Sequence, residues 1–577
     1  MFTDALERAA ARRPRPAIWD GGGWRTWRDC LRQAEHTAGA LHRHGLTAGD
    51  VLATRLPNSW ELVVLHAATA RLGIVLLPLH SAYGLHEAQT LIEQSCAVAL
   101  VTRASHRGHD RLEETRALRE RCASLRHVWV SPDGAAGDTG GLPELAELFG
   151  GGPADSADPT TEPYDSPGPT AATPAEPYDS PLALPPPPSD PRTPLVLLAS
   201  SGTTSRRPKL CVHSHGGLLG NAAAVAADGA LGAHDTVVSA SPLSHAFGLL
   251  SVHLALVTGG AVGLFDGWEP RRFAETLEAT GATAAFAVPA QLRDLLSLIE
   301  EDGTAPRPAL REVRTGGAPV PRELAERVRR NLASRIIVQW GMTEVGAGTY
   351  TRPEDPPEAA FGIGRPAFGS QVRVLNWEGE PAVPGETGEL QFRSPYMFSA
   401  YYRAPEQSRD ALTDDGWLRS GDLAALEADG SVVYRGRADE LINRGGLKFS
   451  ALEVEELLDD LPQLAQHAVI GRPDPRLGQR SCLIAALREG TRLTLEEVTG
   501  HLAAKGLAPY KLPEQLVVVP RLPTTVTGKT ARARLTAIPL PPLPAHPPGR
   551  RRATAPAATP SAPAPARDGS HAPDPTP

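Results

Sequence analysis

The chain has 577 residues, 41% of them hydrophobic and 21% charged, with a formal net charge of -8. These values fit an ordinary globular protein too long for one small domain, and the negative balance removes any electrostatic reason to expect nucleic acid or an anionic membrane as partner. The five cysteines, Cys30, Cys96, Cys122, Cys211 and Cys482, are scattered and form no CxxC, which argues against a disulfide framework or thiolate metal site and for a reducing, cytoplasmic setting.

The N-terminal stretch MFTDALERAAARRPRPAIW lacks the continuous apolar core of a signal peptide, and runs such as GIVLLPL are too short to span a bilayer. From about residue 131 to 194 the composition turns to Pro, Ser, Asp and Thr, and the hexapeptide EPYDSP occurs twice, at Glu162 to Pro167 and Glu176 to Pro181. Such composition reads as a disordered insertion, and the repeat as duplicated low-complexity sequence rather than a docking motif. PLVLLASSGTT then reads as a buried strand entering a hydroxyl-rich loop, and VHSHGGLLGNAAAVAADGA opens a helix. DTVVSASPLSH, GGAVGLF, ATAAFAVPA and RIIVQWGMTE read as further buried strands, so the expected class is α/β. The order strand, loop, helix gathers backbone N–H groups and a helix N-terminus, which suits an anion. SALEVEELLDDL and TLEEVTGHLAAKGL open with capping boxes, Ser450 to Glu453 and Thr494 to Glu497. They predict a small mobile α+β domain at 435–538, after a large domain at 1–434 and before a Pro/Ala-rich tail at 539–577.

The loop SSGTTSRRPKL lacks GxxxxGK[ST] and is not a Walker A loop. It resembles the phosphate loop of the ANL superfamily of adenylate-forming enzymes, whose pattern is [ST]SGTTGxPK. Here Ser205 stands where the second glycine is usual, and one extra residue precedes Pro208. Further segments are similar to the family's in order: SPLSHAFG to PLxHxxG, RTGGAPVP to the adenine-contacting GGAP, and QWGMTE to YGxTE with Trp340 for tyrosine. DGWLRSGDLA resembles GWxxTGD, and YRGRADELINRGGLKFSALEVE resembles GRxDExIxxGGxKIxPxEVE with Ala451 for proline. LPTTVTGKTARARL resembles the late PxTxxGKxxR motif.

The resemblance implies that ATP activates a carboxylic acid as an acyl-adenylate. Thr203, Thr204 and the loop amides would donate to the β and γ phosphates, beside Lys209. Glu344 would offer Mg²⁺ a hard oxygen. Trp340 would stack on adenine, Asp422 would accept from ribose hydroxyls, and Arg437 would reach ribose or phosphate. Lys529, in a glycine-flanked turn, would bridge the substrate carboxylate and the α-phosphate. By the same resemblance Ser201, Gly202, Gly316, Gly317, Ala318, Gln339, Gly341, Met342 and Thr343 contact the nucleotide. His245, Ala246, Gly248, Gly317, Gly341 and Val345 line the acid pocket, with His245 moving between the half-reactions. Asp439 is the pivot of the small domain, and Gly446 and Lys448 lie on its thiolation face.

These residues point to an ATP-dependent acid–thiol ligase. No GGxS carrier motif is present, so the acceptor is CoA or a separate phosphopantetheinyl carrier protein. Two alternatives stand beside the CoA ligase: an aryl-acid AMP ligase that loads a carrier, and a non-catalytic scaffold on the same fold. The pair His213 and His215 is a weak zinc signal without a third ligand.

Overall fold

The computed structural model describes residues 1–12, 15–132, 137–150, 184–200, 208–524, 530–535 and 540–542. The chain forms two compact units, Met1–Ile538 and Pro539–Pro577, and the sheets all lie in the first. A seven-stranded sheet runs Ala400–Tyr401, Lys209–Ser214, Pro194–Ser200, Val75–Pro78, Val51–Arg55, Ala99–Arg103, His127–Ser131. Its five strands from Pro194–Ser200 onward are parallel, and the first two are antiparallel to their neighbours. Leu195, Val196, Leu197 and Leu198 are all fully buried, the continuous apolar run of a strand covered on both faces.

A nine-stranded sheet has at its centre the parallel strands Thr236–Ser239, Ala284–Phe286, Leu310–Gly316 and Ala333–Trp340. A four-stranded antiparallel sheet follows (Gln371–Leu375, Thr387–Arg393, Leu418–Leu426, Val432–Arg437). The strand Val432–Arg437 runs through residue 434, so the backbone leaves this sheet only at the short 3₁₀ turn Ala438–Glu440, beyond the boundary expected from sequence. A five-stranded sheet built from Leu441–Arg444, Leu447–Ser450, Leu464–Asp474, Gly478–Leu487 and Gln515–Val518 completes the unit. Arg532 ties its C-terminal end to the turn, 3.1 Å from Glu440 and 2.6 Å from Glu455.

Two expectations are corrected. The low-complexity insertion is shorter than 131–194. Leu142, Leu145 and Leu148 recur every third residue and are buried at 7%, 4% and 0% exposure; the Phe149 carbonyl accepts from Gln33, and the Pro185 carbonyl accepts from Arg71 at 2.7 Å. That apolar spacing outweighs the composition around it. Both EPYDSP copies lie outside the described residues. The capping box at Thr494 forms, with reciprocal bonds to Glu497. At Ser450 only the hydroxyl half forms, to Leu452, because Glu453 instead pairs with Lys511 at 2.5 Å; the helix Ala451–Glu456 is correspondingly short.

The helices Phe2–Ala11, Trp60–Leu72 and Ala246–Thr258 pack together around buried histidines. The Nε2 atoms of His66 and His253 lie 2.9 Å apart, so one neutral ring donates to the other, Phe2 packs edge-on to His66, and the Phe2 N–H donates to His215 Nδ1 at 3.2 Å. Burial holds His66 well below its ordinary value and pushes His215 down to about 4 and His253 to about 3. These rings are neutral when folded and titrate near 6.5 when unfolded. The unfolded chain therefore binds more protons in the window between, and stability falls with pH through it, by up to ~1.4 kcal/mol per unit of depression for each ring. Urea unfolding across pH should give a constant free energy above about pH 7 and a steep decline below about 6.5; a flat profile down to about pH 5 would show that the cluster is not held neutral by folding.

Candidate active site

Strand Pro194–Ser200 delivers the chain to the hydroxyl-rich loop, and Lys209–Ser214 takes it away. Ser200 and Lys209 are ladder partners, so the loop between them is closed at its base like a hairpin. Ser201, Gly202, Thr203 and Thr204 lie outside the described residues, as does Lys529.

The exit strand holds the next motif. Side chains alternate across a strand, and Lys209, Cys211 and His213 share one face, turned toward Gln339–Glu344. The His213 Nε2–H donates to the Thr343 carbonyl at 2.7 Å. Burial pushes His213 down to about 4, so it is a neutral, Nε2-protonated donor. Cys211 lies beside the Glu344 side chain, and burial, then the Glu344 charge, pushes its thiol well up. The Lys209 ammonium, expected beside phosphate, lies 4.6 Å over the Tyr401 ring. Tyr401 in turn donates its hydroxyl to Glu344 Oε1 at 2.8 Å. The Glu344 carbonyl accepts from the Phe398 N–H at 2.8 Å.

Glu344 is 5% exposed, yet among the described residues it has no ion-pair partner within 4.0 Å. A buried carboxylate without a cation is costly. One hard carboxylate held by a neutral hydroxyl fits Mg²⁺, which takes one or two protein carboxylates and completes its shell with phosphate and water.

The loop carrying Glu344 turns sharply after strand Ala333–Trp340. Val345 and Gly346 donate to the Met342 carbonyl, and a Cβ on Gly341 would lie 1.9 Å from the Gly346 oxygen. The neighbouring parallel strand ends at Gly316, paired with Gln339, and Gly317 takes a left-handed φ of 80°. The segments 316–318 and 339–343 thus sit side by side at the carboxyl ends of parallel strands, where open α/β sheets bind ligands.

Trp340 is 7% exposed, packed against Phe392, and its indole N–H donates to Asp422 Oδ2 at 2.8 Å. Its edge is thereby committed to Asp422. Asp422 Oδ1 accepts from Arg437 Nη1 at 3.0 Å, and Arg437 Nε donates to Asp439 at 3.2 Å. Burial works against the Arg437 charge, but Asp422 and Asp439 outweigh it and raise its pKa. A continuous chain therefore runs from Trp340 through Asp422 and Arg437 to the turn Ala438–Glu440.

His245 precedes the helix Ala246–Thr258, with Gly248 in its first turn. The Phe247 ring stacks on Phe286 at 5.2 Å, and Val345 is buried. His80, which the sequence reading passed over, lies 5.6 Å from His245, ring to ring. Its Nδ1 accepts from the Ala82 N–H, and burial pushes it down to about 4. Tyr401 and Cys211 were missed as well. The alternation Lys209, Cys211, His213 was the available signal for Cys211; nothing local marks Tyr401 or His80. Gly446 and Lys448 stand apart, exposed on the hairpin of the five-stranded sheet, and no described contact joins them to the residues above. His213 and His215 are bonded as described, and among the described residues no group of three His, Cys, Asp or Glu could hold a metal. No described helix is long and apolar enough to cross a membrane.

The AMP-binding enzyme family matches residues 6–402, and its C-terminal domain matches 453–529. A salicylyl-CoA synthase / salicylate adenylyltransferase from a Streptomyces species is 34% identical over 90% of each chain. A salicyl-AMP ligase / salicyl-S-ArCP synthetase from Mycobacterium tuberculosis is 33% identical over 91% of this chain and 88% of its own. A 2-hydroxy-7-methoxy-5-methyl-1-naphthoate–CoA ligase from Streptomyces carzinostaticus is 31% identical over 90% and 89%. An anthranilate CoA ligase solved with anthranoyl-AMP has the same fold, with a TM-score of 0.77 at 23% identity over 93% of this chain and 96% of that one. The chain belongs to the AMP-binding enzymes, the adenylate-forming ligases of the ANL superfamily.

Proposed function

We propose that this enzyme activates an aromatic carboxylic acid with ATP and passes the acyl group to CoA. The observation that carries the reading is Glu344, a buried carboxylate without a described ion-pair partner, held against the strand that leaves the phosphate loop. In the first step a carboxylate oxygen of the acid attacks the α-phosphorus, the bond to the bridging oxygen breaks, and pyrophosphate leaves. Thr203, Thr204 and the loop amides hold the outgoing phosphates. Glu344 would hold Mg²⁺, which would supply positive charge to offset that on the phosphate oxygens. Asp422, its orientation fixed by Trp340 and Arg437, takes the ribose hydroxyls. Lys529 meets the charge shared by the acid and the α-phosphate. In the second step a thiolate attacks the acyl carbon and AMP leaves. Asp439 is the pivot between the steps, and Gly446 and Lys448 flank the incoming thiol.

The acid is inferred from the wall beside His245. The relatives are named for acids carrying a 2-hydroxyl. Here the residue after the histidine is Ala246, which can bond no hydroxyl, followed by the Phe247–Phe286 stack. An unpartnered hydroxyl there would lose about 1–3 kcal/mol, so a less polar acid is favoured. A carrier protein is the alternative acceptor, supported by the salicyl-S-ArCP synthetase among the relatives.

Four outcomes test this reading. Pyrophosphate release over a panel of benzoates, alicyclic and aliphatic acids should favour aromatic acids without a 2-hydroxyl, with thioester forming when CoA is added; release without thioester would move the assignment to the carrier. Ala246→Asn should improve kcat/KM for 2-hydroxybenzoate over benzoate by about 10-fold, and an unchanged ratio would take residue 246 out of the pocket. Trp340→Phe keeps a ring and loses the N–H on Asp422, so the KM for ATP should rise about 5- to 10-fold; an unaltered KM would make that bond irrelevant to nucleotide binding. In single-turnover assays Lys529→Ala should slow adenylation by roughly 10²–10³ while sparing thiolysis of a synthetic acyl-adenylate, and Lys448→Ala should show the opposite bias. Equal slowing of both steps by Lys529→Ala would contradict the two-pose mechanism.

A further inference from the structure

We propose that Tyr401 and Cys211 are positioning residues for Glu344: two neutral donors that fix its carboxylate while leaving its charge for a divalent cation. The proposal rests on the reading of Glu344 as the metal-facing carboxylate. Cys211 and Tyr401 are direct partners in the antiparallel ladder between Lys209–Ser214 and Ala400–Tyr401. Directly opposed residues project to the same face of a sheet, and both reach the same carboxylate. Tyr401 donates at 2.8 Å, and the Cys211 thiol lies beside the same side chain. Cys211 is 0% and Tyr401 5% exposed, so water does not compete for these bonds.

The chemistry of the pair matters as much as its geometry. An arginine or lysine would hold Glu344 equally firmly and cancel its charge. A phenol and a thiol hold it and cancel nothing. A phenol and a thiol are ordinarily protonated at neutral pH, so both can act as donors. Among the described residues the nearby cation, Lys209, is placed over the Tyr401 ring rather than on the carboxylate. There it draws electron density from the ring, which strengthens the phenol as a donor. The backbone is fixed independently, through the Thr343 carbonyl on His213 and the Glu344 carbonyl on the Phe398 N–H. Tyr401 and Cys211 are therefore left to set the side-chain orientation. Groups that orient metal ligands in this way typically account for 10- to 100-fold in metal affinity.

The test is Mn²⁺ binding, followed by electron paramagnetic resonance, to enzyme saturated with α,β-methylene-ATP, with metal-free binding of the analogue measured in parallel. Tyr401→Phe should weaken Mn²⁺ by about 10-fold or more and leave metal-free analogue binding within about 2-fold. Cys211→Ala should weaken Mn²⁺ by less, and Cys211→Ser, which restores a donor, should return it close to native. Native Mn²⁺ affinity in Tyr401→Phe, or an equal loss of metal-free binding, would overturn the positioning role. Should Tyr401→Phe fail to fold, the contrast between Cys211→Ala and Cys211→Ser decides: equal affinities overturn the proposal. Glu344→Gln separates the two levels. If that variant keeps native Mn²⁺ affinity, the metal reading of Glu344 itself falls; if it loses affinity and Tyr401→Phe does not, only the positioning role falls.

Discussion

One face of one strand sets the site. Lys209, Cys211 and His213 follow each other at the two-residue period of a strand, and each reaches the segment that carries Glu344, directly or through Tyr401. The strand belongs to the seven-stranded sheet, which delivers the phosphate loop; the segment follows a strand of the nine-stranded sheet, which ends beside Gly316 to Ala318. Without that face the two sheets would place their loops independently. With it, the strand ends Ser200 and Lys209 that flank the hydroxyl-rich loop are tied to the buried carboxylate, and phosphoryl chemistry relies on such positioning and charge stabilisation.

A second series of bonds ties the nucleotide side to the turn before the five-stranded sheet. Trp340, Asp422, Arg437 and Asp439 alternate donor and acceptor. Asp422 and Arg437 face each other across the ladder of the four-stranded sheet, so their pairing follows from strand register. Arg437 is shared between Asp422 and Asp439 and touches both the carboxylate proposed to face ribose and the proposed pivot. Movement at the turn Ala438–Glu440 would change the second contact while the ladder protects the first. Arg532, bonded to Glu440 and Glu455, connects the segment after Lys529 to the same turn.

The buried parallel strands were legible because their apolar runs admit little else, and the cap at Thr494 because both halves lie within one turn. Asp422, Arg437 and Glu344 stood out through the order of the motifs, and the structure pairs the first two and buries the third. Contacts made between sheets were not. Tyr401 meets Glu344 across 57 positions and His213 meets Thr343 across 130, separations at which no local pattern survives. The ring beneath Lys209 was not legible, because Tyr401 lies far along the chain. Glu453 read as half of a capping box because Lys511, which takes it, belongs to a later segment. Leu142, Leu145 and Leu148 were submerged in a proline-rich composition, although their spacing alone is that of a packed face.

The account turns on whether the exit strand of the phosphate loop presents Glu344 to the metal–nucleotide complex. A crystal structure of the enzyme with Mg²⁺ and a non-hydrolysable ATP analogue tests this most directly. The result predicted is a cation about 2.1 Å from a Glu344 carboxylate oxygen, with the Tyr401 hydroxyl still on that carboxylate and the ribose hydroxyls on Asp422. A cation bound to the phosphates without Glu344, or a Tyr401 turned away from it, would contradict the account.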